Sequence, residues 1–196
     1  YGIYNEGTIT TIANTGNIKT LGDDYGIYSS GTITTLTNSG TISAADFYGI
    51  RNDAGTITTL TNSGTISAAD DYGIISNGTI TTLTNSGTIS SGDDGGIYNM
   101  SVSNSTGIIT TLTNSGTISA YDDYGLRNEG TITTLNNTGN IKALGDDYGI
   151  RNSGVITTLT NSGTISAADD YGIRNSGVIT TLTNNGTISA GGDYGL

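Results

Sequence analysis

Cysteine, histidine, proline and tryptophan are absent from the 196 residues, and phenylalanine and methionine occur once each. Without cysteine there is no disulfide and no thiolate metal site. Without histidine as well, the usual nucleophile-and-base pairs of covalent catalysis cannot be assembled. Positive charge is scarce too: six Lys and Arg face 17 Asp and Glu, for a net charge of -11. Binding to a phosphate backbone draws on Lys and Arg, so nucleic acid is not an expected partner and a cation fits better. No apolar run approaches the roughly 18 to 20 residues of a membrane helix, so this segment is not expected to insert. No basic stretch leading into an apolar one marks a secretory leader.

What the chain does contain is repetition. Units of 23 or 24 residues, one of them lengthened, begin at Tyr1, Tyr25, Tyr48, Tyr72, Gly95, Tyr124, Tyr148 and Tyr171, with the consensus YGIRNSGTITTLTNSGTISAADD. A unit this short cannot bury a face alone and must stack on its neighbours. Four columns are aliphatic in every copy, running from Ile3 to Ile173, Ile9 to Ile179, Ile12 to Leu182 and Ile18 to Ile188. Their flanking Thr, Ser, Val and Lys residues give the alternation of strands buried on one face, and the glycine-rich punctuation leaves no room for a stable helix. The expected fold is therefore all-β, a parallel β-solenoid of about eight coils with three short strands per coil, forming one unit over residues 1–196. At about 4.8 Å per coil the rod would be roughly 38 Å long. The chain opens in phase with the repeat and stops three residues into a ninth copy, which reads as a segment of something longer.

The second turn of each unit carries one asparagine column, Asn14, Asn38, Asn62, Asn85, Asn114, Asn137, Asn161 and Asn184, with glycine two residues later. Stacked amides can hydrogen-bond from coil to coil, and the glycine is expected to supply a left-handed corner. A longer period overlies the short one. The copies at Tyr1–Asp24 and Tyr124–Asp147 share GTITT, NTGNIK and LGDD, a spacing of five coils.

The paired units typified by Asn62-Ser63-Gly64-Thr65-Ile66 and Asn161-Ser162-Gly163-Thr164-Ile165 resemble the β-strand repeats of bacterial autotransporter passengers and filamentous-haemagglutinin-like adhesins. The resemblance covers essentially the whole chain. It implies a right-handed β-helix on a secreted, cell-surface bacterial protein, serving as a fibre, stalk or adhesin.

Of the 17 acidic residues, 14 lie in the two positions before each Tyr-Gly-Ile motif: Asp23, Asp24, Asp46, Asp70, Asp71, Asp93, Asp94, Asp122, Asp123, Asp146, Asp147, Asp169, Asp170 and Asp193. Stacked carboxylates repel, by about 1 kcal/mol per pair in water and several-fold more where water is partly excluded. Ca2+, which takes carboxylate and carbonyl oxygens in flexible geometry, would bridge such coils and is the one cofactor the composition suits. The alternative is a solvated acidic edge that keeps the rod soluble, with Arg51, Arg127, Arg151 and Arg174 neutralising part of it. Uniform Asp pairs offer no single site where two pKa values are driven apart, so no enzymatic activity is expected.

Two other features stand out. The Thr-Ile-Thr segments at Thr8–Thr10, Thr32–Thr34, Thr56–Thr58, Thr79–Thr81 and Thr131–Thr133 place threonine outward in files, a pattern resembling ice-binding solenoids. Ile108, Val155 and Val178 interrupt one file. The fifth unit replaces its leading Tyr with Gly95 and inserts residues around Asn99–Thr106, an expected corner loop that reads first as tolerated drift and, if any single place confers specificity, as that place. The open strands at each end are expected to associate end to end or to continue into more solenoid.

Overall fold

The computed structural model describes residues 1–22, 24–145, 147–192 and 194–195. Among them there are strands and turns but no helix. Three eight-stranded sheets run the length of the molecule, and each coil contributes one strand to each sheet. The first sheet holds the Tyr-Gly-Ile segments, such as Tyr48–Asn52 and Tyr148–Asn152. The second holds seven-residue strands such as Thr56–Asn62 and Val155–Asn161, and the third short ones such as Thr65–Ala68. All coil-to-coil pairing is parallel and in register, so Leu36, Leu60 and Leu83 lie directly over one another. This is a β-solenoid with three strands per coil.

The four aliphatic columns form its interior. Twenty-six of their residues are buried, and Ile3, Ile9, Ile18, Ile179, Leu182 and Ile188 of the terminal coils pack against them half-buried. In the second sheet the inward residues, for instance Ile33 and Leu36, are three apart rather than two, so the alternation slips at Thr34–Thr35 and both threonines face outward. The slip lets one strand carry two core columns.

The glycines have a different role from the one their turn position suggests. None among the described residues has φ in the left-handed region; the residue that does is Ala54, at 55°. Instead, the corners approach so closely that a side chain would collide with the coil below. A Cβ on Gly64 would lie 2.1 Å from the Gly40 carbonyl oxygen, and one on Gly87 equally close to that of Gly64.

Gly64→Ala should therefore destabilise the fold by roughly 1–3 kcal/mol or more, the cost of overpacking. The corresponding Gly16→Ala in the first coil, where a Cβ meets nothing within 4 Å, should be nearly neutral. Thermal melts of the two variants check this; equal losses would return the explanation to backbone dihedrals.

Candidate functional site

The corner after the second sheet holds an unbroken ladder of amides. Asn14, Asn38, Asn62, Asn85, Asn114, Asn137 and Asn161 each donate Nδ2–H to Oδ1 of the asparagine in the next coil, ending at Asn184, over 2.7–2.8 Å. The same Nδ2 lies within reach of two backbone carbonyls, as Asn62 does of Gly64 O in its own coil and Thr88 O in the next. From Asn38 to Asn161 these side chains are buried, with every polar atom satisfied inside the rod.

A second ladder occupies the corner after the first sheet, in the column Asn5, Ser29, Asn52, Ser76, Asn99, Asn128, Asn152 and Asn175. Asn99, Asn128 and Asn152 each donate to the next Oδ1 over 2.7 Å. Serine interrupts the run. Asn52 donates to Ser76 Oγ, but that hydroxyl has one hydrogen and directs it to Gly78 O, so Asn99 Oδ1 receives nothing. Ser29 likewise bonds Gly31 O and leaves Asn52 Oδ1 bare. These two oxygens are the buried side-chain atoms without a partner among the described residues.

The acidic corner lies beside a tyrosine column. Burial, reinforced by neighbouring carboxylates, raises Asp71, Asp94 and Asp147 above the ordinary carboxylate range. Asp123 is pushed up to about 6, by burial first and then by Asp147 and Asp94. The Tyr48 hydroxyl hydrogen-bonds Asp71, and Asp147 is held by both Tyr124 and Asp123. The corner thus relieves its repulsion by keeping protons and by accepting tyrosine hydroxyls. Backbone carbonyls of Asp94 and Asp123 already accept the N–H of Tyr124 and Tyr148. Among the described residues no three carboxylates converge as a metal-holding group. Asp24, Asp46, Asp70, Asp93, Asp122, Asp169 and Asp170 line the same corner, where Phe47 takes one acidic place and packs at a tilt against the stacked Tyr25 and Tyr48 rings. Asp23, Asp146 and Asp193 lie outside the described residues.

The arginines turn away from that corner. Arg51 pairs with Asp53 over 3.0 Å, and Arg127 with Glu129, each partner two residues along the same strand end. Their guanidinium groups lie over tyrosine rings, Arg127 at 4.4 Å from the centre of Tyr98. Arg127 and Arg151 act on Asp94 and Asp147 only through space. Tyr72 leans across the space above Gly95, where a Cβ would meet its ring at 2.5 Å, and packs on Tyr98 with centroids 5.1 Å apart.

The fifth-coil insertion is a small antiparallel hairpin of Ser101–Val102 and Ser105–Thr106 rather than an irregular loop. It leaves and rejoins the coil cleanly, since Gly107 N donates to Met100 O and Ile108 N to Gly78 O.

Two outcomes follow from these contacts. Ser76→Asn should give Asn99 Oδ1 its missing donor and stabilise the fold by roughly 1–2 kcal/mol in denaturant unfolding. For pH, carboxyls whose folded pKa is raised bind protons that the unfolded chain releases, so stability falls as pH rises from about 4 through about 6. Hydrogen bonds from Tyr28 and Arg51 to Asp53, and from Tyr98 and Arg127 to Glu129, outweigh burial and lower those two groups, whose contribution is lost only at still lower pH. Calorimetry should accordingly give a higher Tm at pH 5 than at pH 7.5, and Asp123→Asn should shrink the difference. Set against known proteins, the chain matches no family model, no curated protein and no solved structure.

Proposed function

We propose that this chain is a structural repeat segment of an extracellular or cell-surface bacterial fibre, stalk or adhesin, and that it catalyses no reaction. The observation that carries the reading is uniformity. Three sheets keep one register through eight coils, and the buried polar groups serve to join coil to coil. A polar interior used up in this way leaves no convergent set of groups for chemistry. Resemblance to bacterial adhesin repeats supports the surface location and a cell-surface or matrix partner.

The acidic corner fits a soluble edge at neutral pH, with Ca2+ an additional ligand where carboxylates ionise. The outward threonines also allow an ice-binding reading. Two of their columns, Thr10 to Thr180 and Thr11 to Thr181, are unbroken. The slip at these positions and the exposed Ile108, Val155 and Val178 beside them give a less regular rank, which favours the rod.

Negative-stain electron microscopy of the purified chain should show straight thin rods roughly 40 Å long that join end to end as concentration rises. Compact round particles would overturn the reading. Isolated rods at every concentration would remove the self-association and leave a stalk.

A further inference from the structure

The chain holds six Lys and Arg in all, and three of them, Arg127, Arg151 and Arg174, stack in register in consecutive coils of the first sheet. Like charges at strand spacing repel, so each needs a counter-charge. Arg127 has Glu129. At the equivalent position the next two coils carry Ser153 and Ser176. Among the described residues neither Arg151 nor Arg174 forms an ion pair. Arg151 sits over the Tyr124 ring at 5.7 Å, and Arg174 lies over that of Tyr148 at 5.3 Å while donating to its hydroxyl over 2.7 Å. The rings hold the two guanidinium planes in place; Arg151 is balanced in part through space by Asp147 and Glu129, whereas Arg174 remains exposed.

We infer that Arg151 and Arg174, with the hydroxyls of Ser153 and Ser176, bind the carboxylate of an acidic saccharide. Two arginines in register on strands roughly 4.8 Å apart can offer one donor set to each carboxylate oxygen. The serine hydroxyls suit the hydroxyls of a sugar ring. The net charge of -11 repels a polyanion at long range, so the ligand is an isolated sugar acid on an otherwise neutral glycan. This inference rests on the adhesive reading and gives it a ligand class.

The test is titration of the purified chain with 3′-sialyllactose and with glucuronosyl-xylobiose, each carrying one sugar acid on neutral sugars, followed by ligand-observed NMR, with lactose and acetate as controls. Binding of at least one acidic sugar is expected, without comparable binding of either control. Arg151→Ile and Arg174→Tyr are residues the same column already accommodates at Ile75 and Tyr98, so both variants should fold. Each should weaken binding about tenfold, the loss of a charged hydrogen-bonding partner. Ser153→Glu, copying the Glu129 arrangement, should abolish binding by supplying an internal counter-ion. No binding of either acidic sugar, unchanged affinity in both arginine variants, or acetate binding as tightly would overturn the inference. A chain that still forms rods by microscopy in that event keeps the fibre or stalk reading, whereas round particles would remove both.

Discussion

The constraint on which everything else depends is the distance between coils. Parallel strands in register sit roughly 4.8 Å apart, so each residue is stacked on its counterparts above and below and each side chain must be compatible with copies of itself. Isoleucine and leucine meet that demand by dispersion and burial. Asparagine meets it because one amide is both donor and acceptor, and a column of amides is self-complementary. At the tightest corners only glycine fits, since the backbone carbonyl of the coil below occupies the place of a side chain. Aspartate fails the test as an anion, and Asp123 answers by holding its proton to about pH 6.

The same rule explains what the sequence made legible. Four columns of unvarying aliphatic character define the coil, its strands and its core, because repetition reports stacking directly. The Asn14 to Asn184 column was readable on the same ground. The other ladder was not, because Ser29 and Ser76 break the column and make it look like ordinary turn composition. Glycine after asparagine points to a left-handed turn in an isolated hairpin, where no neighbouring backbone competes for the space; here the neighbour decides. The arginines were legible in part, since Arg127 and Arg151 do act through space on Asp94 and Asp147. Their closer partners were not, because Asp53 and Glu129 stand in the turn just past the strand end, whereas the repeat pattern pointed to the aspartates four residues earlier.

The fifth coil shows how much irregularity such a stack accepts. A detour through Met100–Thr106 is admitted because Asn99 and Gly107 still occupy their columns, and the extra chain closes on itself as a hairpin outside them. Loss of the tyrosine at Gly95 is absorbed by the tilt of Tyr72 toward Tyr98, and the Arg127 guanidinium, over both Tyr98 and Tyr124, links that ring to the next. Variation is tolerated wherever it leaves the coil-to-coil register untouched.

The asparagine ladders have one more property. Every amide in them donates toward the higher-numbered coil, Asn14 to Asn38 and onward to Asn184, and in the other corner Asn99 to Asn128 to Asn175. Amide dipoles aligned head to tail add rather than cancel, and each bond polarises the next. The rod therefore has a built-in arrow: one end presents a bare carbonyl oxygen in each ladder, the other a bare N–H, and two such ends meet productively in one orientation only.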